Sequence, residues 1–75
     1  MNKERRKNIS KQIEMINIIA SNLQELLDEE QEYFDNMPEN LQGSDRGMIS
    51  EEAIEVLDDA IGSLEEVISS LEEII

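Results

Sequence analysis

Cysteine and histidine are both missing from this 75-residue chain, which also has no tryptophan. Without cysteine there can be no disulfide, no thiolate zinc site and no cysteine nucleophile. Without histidine the chain lacks the commonest general base and the commonest ligand for transition metals. We therefore expect a protein that is not an enzyme and that has no catalytic residues, no metal ligands and no cofactor.

Positive charge is scarce and unevenly placed. Six basic residues stand against nineteen acidic ones, for a formal net charge of −13. Five of the six lie within residues 1–12, and Arg46 is the sixth. So acidic a chain is not expected to bind a nucleic-acid backbone directly. No apolar run approaches the length of a membrane span and no signal-peptide pattern begins the chain, so we expect a cytoplasmic protein without membrane contact.

The last third of the chain repeats every seven residues, with isoleucine at position a and leucine at position d of each heptad. Such a pattern predicts a helix whose apolar side is covered by other helices. From Ile9 to Phe34, apolar residues recur in steps of three, four and seven, which predicts a second long helix. The fold class is therefore all-α. The residues expected to form the core of an oligomer are Ile54, Leu57, Ile61, Leu64, Ile68 and Leu71.

Each helix carries a further apolar row beside its main one. These rows are Ile19, Leu26 and Tyr33 in the first helix, and Ala53, Ala60, Val67 and Ile74 in the second. An apolar stripe this wide suits a helix with two neighbours. We expect a two-helix antiparallel hairpin that assembles with itself into a four-helix bundle. A homodimer is the preferred assembly, and a higher homo-oligomer is the alternative.

The chain is expected to form one domain, residues 1–75, with helices at 3–35 and 50–75. Pro38 ends the first helix, since the residue before a proline avoids helical angles. Ser50 is placed as the N-cap of the second helix, because Glu51 and Glu52 follow it and favour a helix N-terminus. The connection, residues 36–49, is longer than an antiparallel helix pair needs, and long ordered connections are often functional.

Acidic residues of the second helix form the first candidate site. No lysine or arginine follows Arg46, whereas ordinary soluble surfaces mix the two signs of charge. A rigid row of carboxylates can imitate nucleic-acid phosphates and bind a protein with a basic surface. A merely solvated helix face is the other interpretation. The candidate partner-binding residues are Glu51, Glu52, Glu55, Asp58, Asp59, Glu65 and Glu66.

The basic N-terminus and the connection form the second candidate site. Arginines at a helix N-terminus favour a phosphate, although Arg5 and Arg6 could simply pair with Glu72 and Glu73 across the hairpin. Aromatic and amide side chains of the connection could hold a base, or could simply close the end of the bundle. In an antiparallel dimer the two regions could meet, and the oligomer would then sequester an anionic cyclic nucleotide. The candidate ligand-binding residues are Arg5, Arg6, Tyr33, Asn36, Asn40 and Arg46.

A Mg²⁺-dependent all-α nucleotide pyrophosphatase is a distant third alternative. Glu52, Glu55 and Asp58 suggest it, because their spacing of three residues matches that of metal-binding carboxylates on helices. Such carboxylates must converge on a shielded cavity to bridge a metal and a phosphate. Here they lie beside or opposite the apolar side of the helix, so a solvated face is the favoured interpretation.

The connection carries the motif Tyr-x-Asp-Asn-Met-Pro-Glu-Asn-Leu-Gln at residues 33–42. With the acidic heptad helix that follows, it resembles a group of small uncharacterised acidic proteins from phages and prophages of Gram-positive bacteria. The resemblance implies a phage setting, in which small non-enzymatic proteins often bind host components. We therefore expect a non-catalytic protein of the host cytosol that inhibits a host defence or DNA-handling protein.

Overall fold

The computed structural model describes all 75 residues, which form three helices and no strand. Helix α1 spans Lys3–Asp35, α2 spans Glu39–Gln42 and α3 spans Asp45–Glu72. The long helices α1 and α3 pack against each other as an antiparallel hairpin, and α2 lies in the connection between them. The all-α hairpin expected from the sequence is confirmed.

The core of the hairpin is one narrow seam between α1 and α3. Ile13 and Ile61 are each 7% exposed, and Ile68 is also buried. Most of the other heptad positions are only half-buried, because a single neighbouring helix covers one side of them. Burial of these side chains stabilises the hairpin by removing apolar area from water. The seam consists of Ile13, Ile16, Ala20, Leu23, Leu27 and Phe34 of α1, and Ser50, Ile54, Leu57, Ile61, Leu64, Ile68 and Leu71 of α3.

Helix α1 begins and ends at clear local signals. The side-chain oxygen of Asn2 accepts a hydrogen bond of 2.7 Å from the backbone N–H of Arg5, which caps the helix. At the other end, the backbone N–H of Asn36 still donates to Glu32, and Met37 then precedes Pro38. Since the residue before proline disfavours helical angles, α1 ends at Asp35 as the sequence predicts.

Helix α3 begins at Asp45, five residues before the expected start. Ser44 occupies the N-cap position, although its hydroxyl donates to the Leu41 carbonyl and not to the helix. The prediction of Ser50 as the N-cap is wrong. Ser50 lies inside α3, is 2% exposed, and donates a hydrogen bond of 2.6 Å to the Glu30 carboxylate. The sequence indicated an N-cap because a buried serine that donates a hydrogen bond to another helix cannot be distinguished from a capping serine by its sequence neighbours.

The connection is held tightly against the first turn of α3. A Cβ added to Gly47 would lie 2.7 Å from the Cα of Gln42 and closer still to its carbonyl oxygen. Only glycine permits this approach, which explains why Gly47 is buried. The side-chain amide of Gln42 in turn donates a 3.1 Å hydrogen bond to the Phe34 carbonyl at the end of α1. Together with buried Met37, these contacts close this end of the hairpin.

Candidate functional site

The seven candidate carboxylates of α3 lie beside or opposite the seam, and every one of them is exposed. We call them the acidic surface, which consists of Glu51, Glu52, Glu55, Asp58, Asp59, Glu65 and Glu66. None of these carboxylate groups accepts a side-chain hydrogen bond within the chain. Their lone pairs therefore remain free for a partner.

Gly62 interrupts the acidic surface with a notch. Nothing lies within 4 Å of the position that a Cβ would take there. Two open grooves of about 530 and 650 Å³ meet at this glycine, and Glu65 and Glu66 line both. Asp58 and Asp59 border the first groove on the preceding turn. A long basic side chain of a partner could lie in the notch with carboxylates on both sides of it.

Met48 adds an apolar side chain at the N-terminal end of the acidic surface. It is exposed and shares an open groove of about 600 Å³ with Glu51, Glu52 and Glu55. Protein interfaces combine apolar anchors with charged surroundings, and methionine adapts well to different partners. The sequence analysis placed Met48 in the connection and missed this position, because it started α3 five residues too late.

The carboxylates are dispersed along the helix and not gathered. No group of three or more acidic side chains is close enough to hold a metal ion. Glu52, Glu55 and Asp58 follow one another along the exposed side of α3 and line no enclosed cavity. This arrangement offers no shielded place where a metal could bridge a carboxylate and a phosphate.

The candidate nucleotide-binding residues lie at opposite ends of a molecule that is 58 Å long. Arg5 and Arg6 are in the first turns of α1, and the guanidinium of Arg6 donates to the Met1 carbonyl at 2.7 Å. No side-chain hydrogen bond links either arginine to Glu72 or Glu73. The remaining members of this set, Tyr33, Asn36, Asn40 and Arg46, are at the connection, where all four are exposed. A single chain therefore does not bring the set together.

A lysine row on α1 was missed by the sequence analysis. Lys3, Lys7 and Lys11 line one open groove of about 390 Å³ together with Glu4 and Asn8. The signal was present as a spacing of four residues, which places side chains on one side of a helix.

The residues expected to form the oligomer core are buried or half-buried along one side of α3. They belong to the seam, where α1 of the same chain contacts them. Most of the large apolar side chains that remain exposed lie beside the seam. We call the largest such group the flank face, which consists of Met15, Ile19, Leu26, Tyr33, Ile49, Val56, Val67 and Ile74.

No protein-family model, curated protein or solved structure matches this chain. Neither of the long helices contains a stretch apolar enough to cross a lipid bilayer.

Proposed function

We propose that this protein is a non-catalytic binding protein whose acidic surface occupies a basic surface on another protein. The observation that carries the proposal is the outward, unpaired row of carboxylates on α3, without a basic residue after Arg46. A charged row of one sign raises the association rate with an oppositely charged partner and selects against acidic ones. The self-repulsion of such a row is a cost that a binding role explains.

The spacing of the acidic surface favours a partner that normally binds nucleic acid. From Glu51 to Glu66 the helix rises about 22 Å, at about 1.5 Å per residue. Seven carboxylates over this length give about one charge per 3 to 4 Å of axis, close to the value of about 3.4 Å per phosphate in one DNA strand. The acidic surface therefore presents a similar linear charge density on a rigid support.

In this proposal the hairpin is a phage-type inhibitor that acts in the host cytosol. It forms a homodimeric four-helix bundle and blocks a defence or DNA-handling protein of the host. The phage setting derives from the resemblance of the connection motif, and the blocking action derives from the charge density of α3. Met48 and the notch at Gly62 would supply the contacts that distinguish one basic partner from another.

The test compares two quadruple variants of equal net charge. In the first, Glu51, Glu52 and Glu55 become Gln and Asp58 becomes Asn. In the matched control, the exposed α1 residues Glu14, Glu25, Glu29 and Glu32 become Gln. Wild-type protein and the two variants are immobilised separately, and each is used to capture partners from a lysate of a Gram-positive host, with elution by salt.

The expected result is a partner that is captured by wild-type protein and by the α1 control but not by the α3 variant. The same partner should be released by duplex DNA, since the two would compete for one basic surface. Equal loss of capture in both variants would mean that only net charge matters. Capture that survives the α3 changes would contradict the proposal.

A nucleotide-sequestering role is the second candidate, and the lysine row of α1 is the observation that favours it. Three ammonium groups around one groove could bind a phosphate as point charges. Calorimetry of wild-type protein against a panel of cyclic nucleotides tests this role directly. Binding that is abolished by Lys3, Lys7 and Lys11 to Ala, with unchanged binding in the α3 variant, would rank this candidate first.

A further inference from the structure

The flank face brings apolar residues of both helices to the same side of the hairpin. All its members except Ile74 directly precede a buried or half-buried seam residue, as Ile19 precedes Ala20 and Val67 precedes Ile68. A residue that precedes a seam residue by one position lies about 100° away from it around the helix axis. Because α1 and α3 run in opposite directions, this offset places the preceding residues of both helices on the same broad side of the hairpin. The result is one continuous apolar face, on which Ile19 is 51% and Leu26 50% exposed.

The single chain exposes more surface than a compact protein of its mass. Its accessible area is 5756 Å², whereas folded monomers of 8.6 kDa have about 4,700 Å². The excess of about 1,000 Å² is close to the roughly 800 Å² that each partner buries in a standard interface. The radius of gyration of 17.2 Å exceeds the value of about 11 Å for a compact domain of this length. One layer of two helices lacks the second layer that a domain core requires.

We propose that a second copy of this chain covers the flank face, with the two hairpins stacked antiparallel so that their connections lie at opposite ends. This inference deepens the proposed function, since it assigns the surface and the orientation of the homodimer assumed there. The acidic surface meets the flank face only at Ile49, which shares a groove with Glu51, Glu52 and Glu55, and the rest of it stays exposed in this dimer. The excess accessible area indicates a partner of similar size, and the distribution of charge along the hairpin indicates the orientation.

Charge is segregated along the length of the hairpin. The end that carries the termini, residues 1–12 and 65–75, holds five bases and five acids and is neutral. The end that carries the connection, residues 28–55, holds ten acids and one base, a net charge of −9. A parallel stack would place two ends of −9 against each other. An antiparallel stack places each acidic end against a neutral one that carries basic side chains.

The distance between the charges of the two hairpins determines how far salt screens the difference in repulsion between the two orientations. Packed helices lie about 8 to 10 Å apart, and charges are screened over about 8 to 10 Å at physiological ionic strength. Repulsion between two acidic ends in contact is therefore only partly screened. Like charges brought together across an interface disfavour that arrangement, so the antiparallel stack is selected.

The antiparallel stack has a twofold axis that crosses the helices near their middle. Helix α1 then packs on α1 of the partner, and Ile19, at the centre of α1, lies near its own copy. At equal spacing from this centre, Tyr33 lies opposite the partner's Arg5. The dimer thus joins the connection of one protomer with the N-terminus of the other, which a single hairpin keeps apart.

The first experiment measures mass by light scattering and sedimentation equilibrium for wild type, Ile19→Asp and Ser21→Asp. Ser21 is an exposed residue on the opposite side of α1 at nearly the same level, so it is a matched control. Wild type and Ser21→Asp should have twice the chain mass of 8.6 kDa. Ile19→Asp should have the single-chain mass or lose helicity, because a carboxylate would be buried against its own copy. A monomeric wild type, or an Ile19→Asp variant that remains dimeric, would overturn the proposal.

The second experiment measures orientation and uses the absence of native cysteine. Single variants Ile19→Cys, Ser21→Cys and Tyr33→Cys are oxidised, and the cross-linked dimer is quantified on a denaturing gel. The antiparallel stack gives efficient cross-linking through position 19 and little through positions 21 and 33. Cross-linking at 19 that is no more efficient than at 33 would refute the antiparallel orientation. Neither experiment involves another protein, so its failure is distinguishable from a failure of the acidic surface to bind.

Discussion

Two glycines of α3 should respond to alanine with opposite signs. Both are helical, so alanine at either position gains about 0.5 to 1 kcal/mol from helix propensity. At Gly62 nothing opposes this gain, because the site of the new Cβ has no neighbour within 4 Å. Gly62→Ala should therefore raise the melting temperature by about 2 to 8 °C, given about 4 to 8 °C per kcal/mol for a domain of this size.

At Gly47 the same methyl group meets the connection. The added Cβ would lie 2.7 Å from the Cα of Gln42 and nearer to its carbonyl group. These are backbone atoms, so a side-chain rotation cannot relieve the overlap and the connection must move. Overpacking costs about 1 to 3 kcal/mol, and loss of the Gln42 hydrogen bond to Phe34 adds about 0.5 to 1.5 kcal/mol. After the propensity gain, Gly47→Ala should lose about 0.5 to 4 kcal/mol.

Urea unfolding followed by far-UV circular dichroism measures both variants against wild type. Protein concentration must be the same throughout, because the stability of an oligomer depends on it. Equal slopes of free energy against urea would show that the midpoints report stability. A stabilised or unaffected Gly47→Ala variant would refute the close packing of the connection on α3. A destabilised Gly62→Ala variant would refute the open notch in the acidic surface.

Four further measurements test other parts of the structure. Ile61→Ala removes a buried seam side chain and should cost about 2 to 5 kcal/mol in urea unfolding. Ser50→Ala breaks the hydrogen bond to Glu30 and should cost about 1 to 2 kcal/mol. A hydrogen bond to a charged group contributes about 1.5 to 3 kcal/mol, and the higher helix propensity of alanine offsets part of its loss. Glu30→Gln, whose side chain can still accept the hydrogen bond, should cost less. Sodium chloride should raise the melting temperature, since it screens the self-repulsion of a chain with a net charge of −13, and a falling temperature would contradict this. Incubation with nucleoside triphosphates and Mg²⁺ or Mn²⁺ should release no product, and hydrolysis lost on changing Glu55 and Asp58 to Ala would favour the pyrophosphatase alternative.

The long helices could be predicted from sequence because their apolar spacing is regular. A repeat of seven residues defines which side of α3 is apolar, and Pro38 defines where α1 must have ended. Both signals are local and need no knowledge of the fold. The start of α3 could not be predicted in the same way. Gly47 and Ser50 look like a break and a cap in sequence, but tertiary contacts with Gln42 and Glu30 explain both residues.

The candidate surfaces were also predictable only where local sequence spacing defines them. Heptad register placed the acidic residues outside the seam, and their exposure follows from that register. The sequence could not show which apolar positions a single neighbouring helix would satisfy. The heptad row of α3, expected to form an oligomer core, packs against α1 of the same chain, which leaves four of its six members half-buried. The rows beside it are more exposed.

These two surfaces place opposite demands on one small chain. A homodimer carries twice the net charge of −13, so assembly increases the repulsion that the acidic surface already causes. In the proposed dimer, position would limit this repulsion, because the residues that form the flank face are apolar and the carboxylates of the acidic surface are exposed. The proposed antiparallel orientation would limit it further, because it would keep the two acidic ends apart. Because α1 packs on α1 in the proposed dimer, α3 packs on α3, and the bundle would present its two acidic surfaces side by side along the α3 edge. It could therefore bind two basic partners at once, or one partner that is itself a symmetric dimer.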